Sequence, residues 1–512
     1  MTGQALSATS LSGRIELTCD FCVVGSGAGG AMAAAVLAAA GAKVVVLEEG
    51  HHHTRRDFNM QEGWAYPALY QDHGNRTTAD LGVLLLQGRS VGGGTTVNWG
   101  SSFRIPERTL KFWQDQHRLP IDAATLRPHY EHVEQRLNVH EGRTDDVNRN
   151  NAKLFEGAKA LGYEPQLIRR SVKGCARLGY CGMGCPLDAK QSSRTTFLAD
   201  ASASGATLYS DCRVVRLQMS AGKRVDEVMA EAIMPPNDNT TGATLVVKPT
   251  RGVIVAGGAI NSPALLMRSQ LKAPGLGTRT FLHPTVPIVG LFDDPIEGYY
   301  GPPQSVACHH FAERGAGKTG YFLETAPVHP MLSAVAFPGF AQDHRDLAAQ
   351  LPFAQATIAL LIDGHGKDHG GTVSVSAHGR SKLKYPIAPN LIEAGKHALA
   401  TMTRILFAAG AKEVVTLHRE PLRLKSVADV GRLQQQAFGT QLHTLFSAHQ
   451  MGGCGMGRSG ASATDEHGKL TGYDNVWVMD GSLFPSSLGV NPQLTIYALV
   501  RLLTQRLATA AR

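Results

Sequence analysis

The chain has 512 residues, of which 43% are hydrophobic and 18% charged. This balance is typical of a globular enzyme and excludes a disordered or fibrous protein, and the length favours two domains, which can be interleaved. The formal net charge is +8, but Lys and Arg are scattered and no block of five like charges occurs, so we expect no nucleic-acid partner.

The N-terminus and the apolar runs bear on localisation. The first 20 residues lack the charged start and apolar core of a signal peptide, and no run reaches the roughly 18 to 20 apolar residues of a membrane-spanning helix. Eight cysteines in so long a chain do not indicate a disulfide framework. We therefore expect a cytoplasmic protein with no transmembrane segment.

The chain opens with a strand, a glycine turn, a helix and a second strand. Residues 20–25 are an apolar run, residues 26–41 are rich in Gly and Ala, and residues 42–50 form a second apolar run that ends in two acids. A βαβ unit of about 30 residues is typical of a parallel, doubly wound sheet.

The rest of the chain alternates between two patterns. Residues 111–165 are predicted to be helical, residues 206–249 alternate like antiparallel strands, and residues 251–270 return to strand, turn and helix. From about 291 to 440 the pattern predicts broken strands, and residues 475–510 are again strand, loop and helix. Pieces of one nucleotide-binding domain are therefore separated by a more β-rich domain.

The turn after the first strand carries a dinucleotide fingerprint. Gly25, Gly27 and Gly30 have the spacing G-x-G-x-x-G. The first glycine permits the tight turn, the second lets the backbone approach a pyrophosphate, and the third lets helix and strand pack closely. Glu48 follows the second strand, where a carboxylate accepts hydrogen bonds from an adenosine ribose, and we expect the adjacent Glu49 to face solvent. The fingerprint alone does not distinguish FAD from NAD.

Two segments near the C-terminus each place one polar side chain among glycines and small residues. SAHQMGGCGMG, residues 447–457, contains His449, and DGSLFPSSLGVNPQLT, residues 480–495, contains Asn491. A neutral imidazole is suited to proton transfer near neutral pH, and an amide can hold a substrate oxygen without competing for its proton. Beside a redox cofactor, this pair is suited to the oxidation of an alcohol.

Four blocks spread through the chain resemble the glucose–methanol–choline (GMC) oxidoreductases, and within them the cholesterol oxidase and long-chain alcohol oxidase branches. The blocks are the fingerprint with Glu48, the loop GRSVGGGTTVNWG at 88–100, AGGAINSPALLMRS at 256–269, and the two C-terminal segments. The likeness covers most of the chain and is weakest from about 330 to 440. Asparagine at 491, where many members of the family have histidine, matches those two branches.

The resemblance implies an α/β fold. A split, doubly wound, Rossmann-like FAD-binding domain would carry an α+β substrate domain built on an antiparallel sheet. The FAD-binding domain would comprise residues 15–110, 190–290 and 440–512. The substrate-binding domain and its cap would comprise residues 111–189 and 291–439.

The resemblance also implies a bound FAD. Besides the fingerprint, the implied contacts are Gly93, Thr95 and Asn98 along the isoalloxazine and pyrophosphate, Val214 at the adenine, and Asp480 and Gly481 beside the ribityl chain. Pro492 suits the first turn of a helix whose N–H groups, from Gln493 onward, would point at the ligand and stabilise a reduced, anionic flavin. Some relatives attach FAD through a histidine in the 88–100 loop, and since this loop has none we expect non-covalent FAD.

By resemblance, His449 and Asn491 form the active-site pair. His449 would take the hydroxyl proton while the α-hydride passes to flavin N5, and Asn491 would hold the oxygen. Glu324, in YFLETAPVHP, resembles the carboxylate segment of cholesterol oxidase and would orient the substrate or the histidine, or accept a proton; the alternative is an ordinary strand carboxylate. His283 could border the substrate cavity, but sequence spacing gives it no partner.

Three cysteines have an unusual spacing. Cys175, Cys181 and Cys185 follow the pattern C-x5-C-x3-C, which could ligate zinc or an iron–sulfur cluster. A fourth nearby cysteine is absent, so packed thiols or a local disulfide are favoured, and we predict no metal.

The sequence therefore predicts an FAD-dependent oxidation of a hydrophobic primary or secondary alcohol to an aldehyde or ketone. One alternative is a dehydrogenase that delivers electrons to a quinone or a protein. A second alternative is a non-oxidative flavoprotein of the same fold, a lyase or a photodecarboxylase. The identity of the alcohol, the choice between oxygen and another acceptor, and the oligomeric state are not readable from the motifs.

Overall fold

A computed structural model describes residues 3–220, 222–366, 368–458 and 460–510. This part of the chain contains 23 strands and 13 α-helices. The strands, in chain order, are β1 (Ala5–Ser7), β2 (Arg14–Val24), β3 (Val44–Leu47), β4 (Leu84–Leu85), β5 (Val139–His140), β6 (Pro165–Leu167), β7 (Arg170–Ser171), β8 (Thr207–Ser210), β9 (Cys212–Gln218), β10 (Glu227–Met234), β11 (Asn239–Val255), β12 (Thr280–Phe281), β13 (Thr285–Leu291), β14 (Val306–Cys308), β15 (Tyr321–Thr325), β16 (Ala354–Leu361), β17 (Thr372–Val375), β18 (Ser381–Lys384), β19 (Glu413–Thr416), β20 (Arg423–Leu424), β21 (Phe446–Ser447), β22 (Met451–Gly452) and β23 (Val476–Val478). The helices are α1 (Ala28–Ala39), α2 (Glu62–Leu69), α3 (Gly94–Val97), α4 (Glu107–His117), α5 (Ala123–Arg136), α6 (Arg149–Ala160), α7 (Phe197–Ala203), α8 (Gly258–Arg268), α9 (Pro330–Ala336), α10 (Gln342–Ala349), α11 (Pro389–Ala408), α12 (Arg432–Gln435) and α13 (Gln493–Ala510).

The first sheet has eight strands in the order β1–β8–β3–β2–β11–β10–β9, and β23 pairs with the end of β11. The strands β1, β8, β3, β2, β11 and β23 are parallel, whereas β10 and β9 are antiparallel. Burial alternates along the first half of β2, and its last four residues are all buried, as expected where helices cover both faces of a parallel sheet. This topology confirms the predicted Rossmann-like α/β class.

The second sheet has nine strands in the order β20–β19–β13–β16–β15–β14–β6, and β21 joins β13 to β4. Its pairs are antiparallel except for β21 with β4. Helices α6 and α11 pack against this sheet. The sheet is the antiparallel one that the family resemblance implies. The domain boundaries at 110, 189, 290 and 439 remain a prediction.

Helix α11 is the main element that the sequence pattern did not predict. It has 20 residues and lies within a region expected to form broken strands. Its sequence carries the signals of a helix, because Pro389 occupies the first turn and the buried residues recur every three or four positions, from Leu391 to Leu406.

Within the described residues, no helix has the length and apolarity needed to cross a bilayer.

Candidate active site

A cavity of about 380 Å³ is lined by residues of both sheets. It brings together twelve of the fourteen residues predicted for the site: Gly25, Gly27, Glu48, Gly93, Thr95, Asn98, Val214, His449, Asp480, Gly481, Asn491 and Gln493. The other two, Gly30 and Glu324, are packed behind lining residues, Gly30 against Gly25 and Glu324 against Asn491. Residues far apart in the sequence therefore surround one space.

The fingerprint glycines are required by close backbone approach. Gly25 has φ +99°, and a Cβ there would lie 2.4 Å from the carbonyl oxygen of Ala256. A Cβ on Gly30 would lie 1.9 Å from the carbonyl oxygen of Gly25, so only glycine lets α1 pack this closely on the turn. The loop leaves the N-terminal end of α1 facing the cavity, and a helix N-terminus stabilises a phosphate.

The two acids after β3 have different surroundings. Glu48 is buried and accepts hydrogen bonds from the Ser26 backbone N–H at 2.8 Å and from the Gly50 N–H at 2.8 Å. Burial raises the pKa of Glu48. Glu49 does not face solvent as predicted, because its carboxylate pairs with Arg89 at 3.0 Å and Arg213 at 3.1 Å. Both acids line the cavity, but Glu49 is engaged by two arginines, whereas the bonds of Glu48 come from the backbone of the fingerprint turn and of Gly50.

The 88–100 loop is fixed by a buried lysine that the sequence analysis did not single out. Lys190 Nζ donates to the carbonyl oxygens of Thr96, Asn98 and Cys181 at 2.6, 2.7 and 2.8 Å. Burial lowers the pKa of Lys190 to about 8. Asn98 also donates from Nδ2 to Gln493 Oε1, which joins the loop to the first residue of α13.

Asp480 connects the second βα turn to the C-terminal loop. Its carboxylate accepts hydrogen bonds from Gly258 N–H at 2.7 Å, from the Ser262 hydroxyl at 2.6 Å and from Ser482 N–H at 2.8 Å. Gly481 follows it beside the cavity. These bonds hold the start of α8 against the segment that carries Asn491.

The three side chains predicted to be catalytic lie together, and two of them, His449 and Asn491, line the cavity. Asn491 Nδ2 lies 3.3 Å from Glu324 Oε2 and 3.4 Å from His449 Nε2. Gln304 Nε2 donates to the same Glu324 oxygen at 2.8 Å. Burial lowers the pKa of His449 to about 4 and raises the pKa of Glu324 to about 8. In the described part of the chain, Asn491 Oδ1 and Glu324 Oε1 are buried and have no hydrogen-bond partner.

The ring of His283 lies between the backbone of Gly489 and the ring of His449. The backbone N–H of Gly489 donates to His283 Nε2 at 3.0 Å, and His283 Nδ1 faces His449 Nδ1 at 3.2 Å. Burial holds the pKa of His283 well below its usual range, so the ring is neutral and carries its one proton on Nδ1. His449 Nδ1 is then the acceptor, and neutral His449 carries its proton on Nε2.

This tautomer creates a pair complementary to a hydroxyl group. His449 Nε2–H and Asn491 Nδ2–H are both donors, so no hydrogen bond joins them, and Asn491 donates to Glu324 instead. His449 Nε2–H can therefore donate a hydrogen bond to the oxygen of a ligand hydroxyl group. The unpartnered Asn491 Oδ1 can accept a hydrogen bond from the same hydroxyl group. The arrangement matches one O–H group.

Beyond this pair the cavity is mostly apolar, with Thr285 and Ser333 as polar exceptions. Its wall there comes from β13, β16, α9, β21 and the segments next to α9 and β19. The apolar lining residues are Pro287, Val289, Ala356, Ile358, Leu360, Val328, Leu332, Ala336, Phe337, Leu417 and Phe446. We call the part of the cavity lined by these residues the apolar arm. It favours a hydrocarbon group over a polar one.

The cysteine cluster lies outside the cavity. Cys175, Cys181 and Cys185 are free thiols, and Cys181 Sγ lies 3.8 Å from Arg170 Nη2. In the described ranges, no three or more His, Cys, Asp or Glu side chains are grouped so as to hold a metal ion. Of the predicted alternatives, the structure has free thiols and not a local disulfide, and the absence of a metal stays a prediction.

Comparison with known proteins decides the family. Two GMC oxidoreductase family models match residues 66–285 and 368–499, and an NAD(P)-binding Rossmann-like model matches residues 23–61. An uncharacterised GMC-type oxidoreductase of Mycobacterium tuberculosis is 36% identical over 490 residues, which are 94% of this chain and 74% of that protein. The chain belongs to the GMC oxidoreductases.

Other GMC relatives carry more specific names. A long-chain-alcohol oxidase of Arabidopsis thaliana is 31% identical over 510 residues, which are 95% of this chain and 68% of the relative. Among solved structures, pyridoxine 4-oxidase from Mesorbium loti has a TM-score of 0.69 at 18% identity and covers 95% of this chain and 99% of its own. Formate oxidase has a TM-score of 0.72 at 15% identity and covers 97% of this chain and 99% of its own. These two structures confirm the fold alone.

As a GMC oxidoreductase, the chain is an FAD-dependent enzyme, and its residues fit that cofactor. The cavity runs from the fingerprint loop and Glu48 past Val214 to the Gly93–Asn98 loop and the start of α13. A Cβ on Gly93 would lie 2.8 Å from Gly27 Cα, so a larger side chain would close the space between the two loops. The individual contacts of FAD with these residues remain predictions.

Proposed function

We propose that this GMC oxidoreductase oxidises a hydrophobic primary or secondary alcohol to an aldehyde or ketone. The observation that carries the proposal is the placement of His449 Nε2 beside Asn491, whose Oδ1 has no partner among the described residues, where one cavity passes from the cofactor loops to an apolar arm. The relatives named long-chain-alcohol oxidases support the same class of substrate.

Residues on both sides of the cavity would hold the cofactor. Gly25, Gly27 and the N-terminus of α1 would contact the pyrophosphate, Glu48 the ribose, and the Gly93–Asn98 loop the isoalloxazine. When bound, FAD supplies the hydride acceptor. Since the 88–100 loop contains no histidine, we propose that binding is non-covalent.

The two polar residues would hold the alcohol oxygen. His449 Nε2–H donates a hydrogen bond to it, Asn491 Oδ1 accepts a hydrogen bond from the hydroxyl group, and the bond from His449 stabilises negative charge that develops on the oxygen. Loss of the hydroxyl proton and of the α-hydride leaves the carbonyl product, so a proton acceptor is also needed.

The sequence and the geometry favour different residues as the acceptor of the hydroxyl proton. The sequence assigns this role to His449, but in the tautomer set by His283 its Nε2 already carries a proton. Glu324 is the carboxylate of the cluster and lies one hydrogen bond behind Asn491. We therefore propose Glu324 as the acceptor. This transfer requires that the hydroxyl, or a water molecule bonded to it, reaches the unpartnered Oε1.

The pH dependence of kcat/KM separates the two assignments. A base with a pKa of about 8 is protonated at pH 6, so with Glu324 as acceptor kcat/KM rises as the pH increases through about 8. With His449 as acceptor, a pKa of about 4 means that kcat/KM is already at its plateau at pH 6. A profile flat from pH 6 to 9 in wild type, unchanged in Glu324→Gln, would return the role to His449.

Anaerobic reduction of the bound flavin tests the function as a whole. The purified holoenzyme is mixed with alkanols of increasing length, a sterol, an aromatic alcohol and a sugar, and flavin absorbance is followed. We expect bleaching by apolar alcohols and none by the sugar. If dithionite bleaches the flavin and no alcohol does, the enzyme is a non-oxidative flavoprotein of this fold, a lyase or a photodecarboxylase.

The electron acceptor is a separate choice. Oxygen consumption during turnover identifies an oxidase, whereas reduction of a quinone or dye without oxygen consumption identifies a dehydrogenase.

We propose a cytoplasmic location as well, which cell fractionation would test.

A further inference from the structure

His283 has a fixed place between the two C-terminal segments. It is fully buried, has φ +45°, and lies between β12 and β13. The carboxylate of Asp363 accepts the backbone N–H groups of Leu282 at 2.8 Å and His283 at 3.1 Å, and the Tyr385 hydroxyl donates to it at 2.6 Å. These bonds hold the backbone of His283, so its ring has little freedom to move.

The two ring nitrogens of His283 have partners of opposite kind. A backbone N–H can only donate, so the bond from Gly489 requires a lone pair on His283 Nε2 and leaves the ring proton on Nδ1. Nδ1 faces His449 and no other group with which it forms a hydrogen bond in the described residues. The reverse arrangement, with His449 donating, would need a proton on His283 Nε2 and would set two donors against each other at 3.0 Å.

Gly489 is suited to this donor role. It has φ +76°, a conformation that favours glycine, and a Cβ there would lie 2.9 Å from Arg108 Nη2. The glycine lies two residues before Asn491. One imidazole therefore spans from the loop that carries Asn491 to the loop that carries His449.

We propose that His283 is a positioning residue. Its Nε2 accepts a hydrogen bond from the Gly489 backbone N–H, and its Nδ1–H therefore donates to His449 Nδ1 and keeps the proton of neutral His449 on Nε2. It contacts neither the substrate nor the cofactor, since it does not line the cavity. Its effect on turnover rests on the proposed function, because only a hydroxyl substrate needs this donor. The tautomer itself is independent of the substrate.

The charged and titratable neighbours are consistent with a neutral pair. Burial lowers the pKa of both His283 and His449. His365 donates from Nε2 to the carbonyl oxygen of Ser487 at 2.7 Å, and Arg108 lies next to Gly489. Phe322 packs edge-on against His283 with ring centroids 5.5 Å apart. Positive charge from Arg108 and an apolar ring both oppose protonation of His283.

Two amide substitutions separate the two hydrogen bonds of the His283 ring, the one to His449 and the one from Gly489. The amide nitrogen of Asn lies near the position of imidazole Nδ1, so His283→Asn keeps a donor toward His449, and Asn tolerates the left-handed backbone. The amide of Gln lies near the position of Nε2, so His283→Gln keeps a partner for Gly489 but places no donor at His449. The pair differs by one methylene group.

The test reads the tautomer directly by ¹⁵N NMR of FAD-loaded enzyme labelled at histidine, with the His449 signals assigned by their loss in His449→Ala. We expect Nε2 protonated and Nδ1 unprotonated in wild type and in His283→Asn, and a mixture of tautomers in His283→Gln. With an alcohol that bleaches the flavin, we expect kcat to fall about tenfold in His283→Gln and less than threefold in His283→Asn.

A proton on Nδ1 of His449 in wild type, or an unchanged Nε2–H in His283→Gln, would overturn the proposal. The wild-type spectrum alone decides it if a variant does not fold. Failure of the proposed function is distinguishable, because an enzyme that no alcohol reduces can still show the expected tautomer.

Discussion

Burial acts in opposite directions on the two ionisable side chains that flank Asn491. His449, with a pKa lowered to about 4, is neutral at pH 7, and Glu324, with a pKa raised to about 8, is mostly protonated there. The cluster therefore carries almost no formal charge before an alcohol enters. A neutral cluster matches an apolar substrate, because no ion must be desolvated when the substrate replaces water.

His449 and Asn491 should be needed for turnover and not for cofactor retention. Since we propose that they bind the reacting hydroxyl group, His449→Ala should lower kcat by about 10²- to 10⁴-fold while the protein keeps FAD. The exposed His378→Ala is the control and should keep full activity. Steady-state kinetics and the flavin-to-protein absorbance ratio measure both properties. Activity close to wild type in His449→Ala would remove this residue from the site.

Lys190 should stabilise the 88–100 loop. Lys190→Met leaves three carbonyl oxygens without their charged donor, which should lower the free energy of unfolding by about 2 to 4 kcal/mol and weaken FAD retention. The control is Lys173→Met at an exposed site, with an expected change within about 0.5 kcal/mol. Denaturant unfolding of both variants gives the comparison. Equal stability would show that the lysine contributes nothing to this loop.

At the residue scale, a short local pattern was enough to identify residues that the structure brings to one cavity. Gly25 and Gly27, found by their spacing, and His449, found by its setting, each belong to a single stretch of chain and line the cavity, whereas their roles stay predictions. His283 meets His449 and Gly489, which are 166 and 206 residues away in sequence, and two of the three acceptors of Lys190 are 92 and 94 residues away. Gln304 donates to Glu324, 20 residues away, and no local pattern encodes these contacts.

At the scale of the elements, helix α9 forms the wall between the apolar arm and solvent. Leu332, Ala336 and the adjacent Phe337 line the cavity, whereas Met331 and Val335 point outward, with 41% and 67% of their surface exposed. Glu62 of α2 accepts the N–H groups of Met331 and Leu332 and holds the first turn of the helix. The helix therefore sets the width of the arm.

Neighbouring positions of α9 should have unequal effects. Ala336→Trp fills the arm and should lower kcat/KM for a long-chain alcohol at least tenfold, with a smaller loss for a short one. Val335→Trp introduces the same indole on the solvent side and should change kcat/KM less than twofold. Kinetics over a series of chain lengths measure the difference. Similar losses in both variants would place the substrate elsewhere.

Element prediction was reliable in the nucleotide-binding part and poor in the other part. The βαβ unit has an apolar strand, a glycine turn and an Ala-rich helix in immediate succession, so local signals agree. In the 291–440 region, α11 is followed by the short strand β19, whose partner β13 is distant in sequence. There, tertiary pairing and not local pattern decides the structure.

At the scale of the whole molecule, the cofactor site is lined by residues from Val24 to Ile496. FAD should therefore stabilise the entire fold and not one domain. By mass action, FAD at about 1,000 times its Kd adds about 4 kcal/mol to the free energy of unfolding. Thermal unfolding of apoprotein and of reconstituted holoenzyme measures this as a rise in Tm. An unchanged Tm after confirmed FAD binding would contradict it.

The strand β11 pairs on one side with β2 and on the other with β23, and a Cβ on Gly29 of α1 would lie 1.8 Å from the carbonyl oxygen of Met479. Within the first 50 residues β2 already has β3 beside it, whereas its other neighbour, β11, and the Met479 backbone against which Gly29 packs come much later in the sequence. The wall of the cofactor site is therefore complete only when residues as late as Ile496 have been synthesised. During synthesis, capture of FAD should accordingly be a late event.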